Sequence, residues 1–221
     1  PYTSGEPIEA IEPFAFTIEG QTHQGDRFHI RTLDPIPAEF TVHQGMFTYP
    51  VAIFIEAVKT DPQLQDEFGE VADTFLDFIN THLFEKNDQY WVQMSPDSGA
   101  YQFEAKITDR FPNRIMPHNQ YLALARAWLV LKDVEGAHPE MGERVQQMAQ
   151  YFKDSLHLDE ENNAYSWHYW DWIEYGEADN SFWEDTSHGH IDISFAIEAA
   201  RRGVVFTDQD LQRLANTWLK V

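Results

Sequence analysis

Apolar residues recur at helical spacing in six stretches of this chain, and the stretches come in pairs. Met46 to Lys59 carries Val51, Phe54, Ile55 and Val58 on one face, and Asp61-Pro62 ends the run. Its partner, Gln65 to Leu83, has a stripe of Phe68, Val71, Ala72, Phe75, Leu76 and Ile79. The second pair is Asn119 to Leu131, apolar almost throughout, and Val145 to Leu156, with Met148, Tyr151 and Phe152 turned inward. The third is Ile191 to Arg202, stopped by Gly203, and a last stripe of Leu211, Leu214, Ala215 and Trp218. Thr207-Asp208-Gln209-Asp210 caps that last stretch, its acids favoured by the helix dipole. In each pair the first stretch is the more apolar. This predicts an inner helix covered on both sides and an outer, amphipathic helix facing water.

A histidine stands at or near the start of every inner stretch: His43, His118 and His188, spaced by 75 and 70 residues. Trp91 and Trp167, in aromatic segments that follow the first two pairs, lie 76 apart. Recurrence at a fixed period marks a repeat architecture, but solenoid repeats run at about 35 to 45 residues. Longer units with aromatic loops between them favour a ring. We therefore expect an all-α fold, an incomplete (α/α)n toroid of about three helical hairpins over residues 41–221, with repeats at about 41–91, 117–167 and 187–221. Residues 1–40 read as an irregular segment broken by Pro7, Pro13, Pro35 and Pro37, with short strands at Phe14–Ile18 and Phe28–Ile30. The chain begins at Pro1 and stops inside a helical run at Lys220-Val221. We expect a piece of a longer protein, whose remainder, or another copy, completes the ring.

The net charge of −22 argues against nucleic acid and anionic membranes as partners. No stretch approaches the roughly 18 apolar residues a membrane helix needs. The absence of cysteine excludes disulfides and thiol chemistry. The same charge opposes a polyanionic substrate unless a local basic patch reverses it. Seven tryptophans, several of them beside polar residues, suit stacking on sugars.

Two connections are too long and too aromatic to be simple turns, and long ordered loops on a helical scaffold commonly carry function. The first, Phe84 to Pro117, holds Tyr90, Trp91, Tyr101, Phe103, Lys106, Arg110, Asn113 and Arg114. The second, His157 to Ser187, holds Tyr165, Trp167, His168, Tyr169, Trp170, Trp172, Tyr175, Trp183, Glu184 and Asp185. Around His118, two guanidiniums (Arg110, Arg114), an imidazole and the Asn119 amide converge on a helix start, which attracts anions. Pairing of the arginines with acids such as Asp109, with His118 and Asn119 merely capping, is the simpler alternative. Around His188 the string is Glu184-Asp185-Thr186-Ser187-His188-Gly189-His190-Ile191-Asp192. A divalent metal at His188, His190 and Asp192 needs a bent backbone, because on a helix His190 points away from the other two. Proton transfer by His188 or His190, tuned by Glu184 or Asp192, is favoured over a metal, and no cofactor is expected. Capping by Thr186 or Ser187 stands beside it. His43 is the weakest of the three. Tyr165, Tyr169 and Tyr175 sit in the loop expected to overhang the rim.

Taken together, His118-Asn119, Arg114, the Glu184–His190 string and the Tyr and Trp loops resemble the α/α-toroid polysaccharide lyases that act on uronic-acid polymers such as alginate or glucuronan. The resemblance covers roughly residues 40–221 and is one of architecture and residue types. It implies β-elimination on a polysaccharide or oligosaccharide. Asn119 and Arg114 would neutralise the sugar carboxylate, His118 or His188 would take the C5 proton, and Tyr165 or Tyr169 would protonate the leaving O4. Arg110, Trp167, Trp183, Glu184, His190 and His43 would bind substrate, and we expect a secreted or periplasmic protein. Two other readings stay open. One is a toroid glycoside hydrolase pairing Glu184 or Asp185 with Asp109 or Glu104 across roughly 5 to 10 Å. The other is a non-catalytic carbohydrate-binding or scaffold protein.

Overall fold

The computed structural model describes residues 8–18, 21–30, 40–104, 113–170 and 184–220. It divides into two units, Pro1–Ala38 and Glu39–Val221. In the first, β1 (Ile8–Ile18) and β2 (Gln21–Ile30) pair antiparallel from Ile18 opposite Gln21 to Ile8 opposite Ile30. The short strands expected at 14–18 and 28–30 are therefore the two halves of one longer hairpin. Pairing continues past Pro13, opposite Asp26, because each strand of a two-stranded ribbon keeps a free edge where a missing N–H costs nothing.

The second unit is predominantly helical. Its helices are α1 (Thr41–Thr60), α2 (Pro62–Phe78), α3 (Glu85–Asp88), α4 (His118–Leu131), α5 (Met141–Asp154), α6 (Thr186–Arg201) and α7 (Asp208–Lys220). A single π-helical segment, Ile79–Phe84, joins α2 to α3. Helix α1 starts well before the apolar period suggests, because Phe40 O accepts from His43 N and Gln44 N and closes a first turn of polar residues. Asp61 caps α2 by accepting from Gln63 N, with Pro62 at the first helical position, where its missing N–H is harmless. At α7 the cap is reciprocal: Thr207 N and Oγ1 both donate to Asp210 Oδ2, while Asp210 N donates to Thr207 Oγ1.

The helices pack as the pairs α1/α2, α4/α5 and α6/α7, and α4 lies against both α1 and α6. In α4 every residue except Gln120 and Arg126 is buried. Gly45 permits its closest contact: a Cβ there would stand 2.3 Å from the Ala123 carbonyl carbon. The first helices run in the same direction. Gly45, near the start of α1, meets Ala123 and Leu124 in the first half of α4. The starts of α4 and α6 both touch Tyr169, through His118 N and the His188 ring respectively. At the far end, Glu56 of α1 pairs with Arg202, just past α6, at 2.6 Å. Between the two ends, Tyr49 donates to Glu198 at 2.8 Å and the Arg126 guanidinium lies over the Tyr49 ring.

The long connections contain β-hairpins that apolar periodicity did not reveal. Strands β3 (Trp91–Ser95) and β4 (Ser98–Tyr101) follow the first helix pair, and β5 (His157–Asp159) and β6 (Ala164–Ser166) follow the second. Trp91 opens the first strand of its hairpin, whereas Trp167 follows the last strand of its own. Their equal spacing in sequence is thus not structural equivalence; by position, Tyr101 matches Trp167 better. Substituting Gly45→Ala drives a methyl group into the α4 backbone, which cannot yield as a side chain would. We expect a loss of about 3 kcal/mol, read from urea unfolding, with far less effect from Gly142→Ala, where an added Cβ meets only Lys132 Cβ at 3.9 Å.

Candidate active site

The start of α6 gathers most of the chemistry. Asp185, rather than Thr186 or Ser187, is its cap: Oδ1 accepts from Ser187 N at 2.7 Å and His188 N at 3.0 Å. Its other oxygen, Oδ2, bonds His188 Nδ1 at 2.6 Å. These contacts, led by the Ser187 hydroxyl and the His188 ring, hold the Asp185 carboxyl well below the usual range. A carboxylate on Nδ1 orients the imidazole and leaves Nε2 as the nitrogen presented outward. The Tyr169 ring stands edge-on to His188, centroids 5.1 Å apart. Tyr169 stays protonated: burial raises its pKa, the charges of Glu184, Asp192 and Asp185 add to the rise, and a bond from Gln120 opposes it.

Behind this rim lies a second pair of acids. Asp192 is fully buried, and its Oδ2 accepts from Trp167 Nε1 at 3.0 Å. Glu184 is half-buried, with its backbone N bonded to Trp167 O at 3.0 Å and its Oε1 accepting from Asp185 N at 2.9 Å. The two carboxyls interact directly. Burial raises both, and Asp192 goes furthest, its rise reinforced by the Glu184 charge. Glu184 and Asp185 line a cavity of about 460 Å³ whose other walls include Trp167, Gly189, Thr217 and Trp218. Trp167 is nearly covered, while Trp218 is 51% exposed. His188 and Tyr169 flank the same helix start on the α4 side.

Other expected site residues lie elsewhere. His118 is 1% exposed, with Nδ1 bonded to the Tyr121 hydroxyl at 2.6 Å and its ring against Tyr151 and Phe152. Burial, helped by His168, lowers its pKa to about 3, so the ring is neutral and enclosed rather than poised at a rim. Asn119 is likewise buried, at 3% exposed. The apolar cover of α4 extends over its first turn and takes both with it. Tyr165 is tied down on the α7 side, donating to Asp210 at 2.9 Å and accepting from Arg213 Nη1 at 2.9 Å, whereas Tyr169 is the tyrosine whose ring adjoins His188. Arg114 is placed by its backbone, its O accepting from Phe103 N, outside the contacts described around His188. His43 is exposed in the first turn of α1 against Phe40. His190 is exposed and bonds Ser187 O through Nδ1, so it does not join His188 and Asp192 around a common point. Arg110, Trp183, Asp109, Lys106, Trp172 and Tyr175 lie outside the described residues. Trp170 is core, its Nε1 donating to Ile115 O. Glu104 interacts with Tyr90 rather than with Glu184 or Asp185.

Ligand-type atoms of Glu184, Asp185 and His188 do lie within 4.8 Å of one another. Both Asp185 oxygens and His188 Nδ1 are engaged in hydrogen bonds with one another or with the start of α6, which leaves His188 Nε2 outside these bonds. Residues that the sequence reading underrated are Asp192, Gln120, Thr217 and Trp218. No protein-family model, curated protein or solved structure matches the chain.

Asp210 anchors this region from below. Burial would raise its carboxyl, but bonds from Lys153, Thr207 and Tyr165 bring it down to about 2. A depressed folded-state value contributes stability above the ordinary carboxylate range and loses it as pH falls toward about 2. Thermal melting followed from roughly pH 5 downward should therefore show acid lability that Asp210→Asn reduces. At neutral pH that substitution should cost about 3 kcal/mol, since it leaves Lys153 without its buried partner.

Proposed function

We propose that this chain belongs to a carbohydrate-active enzyme with an α/α-toroid scaffold and cleaves a uronate-containing glycan by β-elimination. The observation that carries the reading is the Asp185–His188 bond of 2.6 Å beside a protonated Tyr169, at the common leading end of the inner helices. His188 Nε2 takes the proton at C5, with Asp185 stabilising the imidazolium that forms. Tyr169 gives its proton to the departing O4. The cavity walled by Trp167 and Trp218 holds a neighbouring sugar, so that binding away from the reacting bond fixes its position. Three hairpins with parallel inner helices fit an arc of the ring, and a longer chain or a second copy would supply the rest.

A glycoside hydrolase is the second reading, favoured by the single fact that burial raises the Glu184 carboxyl while hydrogen bonds hold the adjacent Asp185 low. Incubating the protein with glucuronan, alginate and neutral glucans separates the two. Elimination leaves a conjugated double bond visible in the ultraviolet; hydrolysis leaves reducing ends without it. If no glycan is cut and none binds, both readings are wrong.

Two substitutions follow from the roles. His188→Ala should lower kcat by about 100-fold or more while leaving the melting temperature nearly unchanged. Trp218→Ala, at an exposed ring, should raise KM with little change in kcat, as steady-state rates on the cleaved glycan would show. Equal activity of wild type and His188→Ala would remove the dyad from the mechanism.

A further inference from the structure

Glu184 and Asp192 come together because the chain leaves no other course for them. Glu184 precedes α6, and its side chain folds back over Gly189. A Cβ at that position would lie 3.0 Å from Glu184 Cγ and 3.2 Å from Trp167 Cζ2. Asp192 follows Gly189 by three residues and so lies on the same face, one turn on. Each carboxyl has one oxygen served by a nitrogen donor, Asp185 N for Glu184 and Trp167 Nε1 for Asp192. The remaining oxygens, Glu184 Oε2 and Asp192 Oδ1, are buried and find no N–H or hydroxyl among the described residues. The carboxyls lie within hydrogen-bonding reach of each other. Two negative charges at that separation, in a wall formed by Trp167 against Phe152, repel strongly. One proton between them satisfies both orphan oxygens and removes one charge.

We propose that Glu184 and Asp192 hold a single proton between them at neutral pH, bridging Glu184 Oε2 and Asp192 Oδ1, and that Asp192 is a positioning residue which fixes the Glu184 carboxyl in the wall of the tryptophan-lined cavity and leaves the pair with one negative charge instead of two. The other titratable groups facing the pair are Asp185 and His188 of α6 and Tyr169 from the segment after β6. The ionised Asp185 helps the pair retain its proton, and His188 opposes it. For the uronate reading, removing one of the two charges lessens the repulsion that a sugar carboxylate meets at this wall in a chain of net charge −22. That last step rests on the proposed function; the shared proton does not.

The test needs no substrate. Trp167 Nε1–H donates directly to Asp192, so its indole resonance in a proton–nitrogen spectrum of the full chain reports the charge on Asp192. Trp167→Phe assigns the peak. In the wild type the indole should titrate with a midpoint above the ordinary carboxylate range. Glu184→Gln should lower that midpoint by roughly one unit or more, since a like charge is removed and an amide donor takes its place. Asp192→Asn, which retains an acceptor for the indole, should abolish the titration while the other indole peaks behave as before. If Asp192→Asn does not fold, Glu184→Gln alone decides, because Glu184 stands outside the helix core. A midpoint within the ordinary range, or one unmoved by Glu184→Gln, would overturn the proposal. A chain that cuts no glycan yet shows these shifts would sink the reaction and leave the shared proton standing.

Discussion

Covering α4 along its whole length is the constraint from which the arrangement of the second unit follows. A helix buried at every residue but Gln120 and Arg126 needs neighbours on all sides, and it finds them in α1, α5 and α6. The backbone contact at Gly45 brings α1 in as close as two helices can come, with no side chain between. Once α1 and α6 flank α4 in the same direction, their first turns emerge at one end. The loops that return from α2 and α5 must reach that end as well. The site is thus a consequence of core packing, assembled at the start of α6 where Tyr169 links it to the start of α4.

Charge organisation fits the same picture. The chain carries far more acids than bases, and the described cations mostly sit in pairs: Arg144 with Asp88, Lys153 with Asp210, Arg202 with Glu56. Several of these link one hairpin to the next, so they contribute to register between units as well as to local neutrality. At the start of α6 the neighbouring acids are pushed apart: burial raises the Glu184 carboxyl, and helix capping holds Asp185 low.

Much of the helical framework was legible in the sequence. The apolar period found α4, α5 and α7 to within a few residues, and the histidine spacing marked all three leading ends, since each histidine falls in a first turn. What periodicity could not show was polar structure. Turns of polar residues at the start of α1 and α6, and strands as short as β5 and β6, carry no apolar repeat. The two-residue gap between β1 and β2, Glu19-Gly20 in the sequence, was a hairpin signal that went unread. At the site, Asp185 and His188 are neighbours in the chain and were visible as a pair. The burial of His118 and Asn119 was not legible, because it follows from the first turn of a fully covered helix being itself covered. Asp192 was seen only as a tuning acid or a metal ligand, since its role depends on Trp167, 25 residues away, and on the small size of Gly189.

The shared direction of the inner helices supports everything argued about the site, and it can be measured in solution. The chain has no cysteine, so His43→Cys and His190→Cys, both exposed in first turns, can carry a pair of spin labels without competing thiols. With α4 between them, parallel helices place the labels about two helix spacings apart, near 20 Å. A single narrow distribution around that value is expected from pulsed dipolar spectroscopy. A distance beyond about 30 Å, the length of a 20-residue helix, would put the two starts at opposite ends and contradict a common mouth.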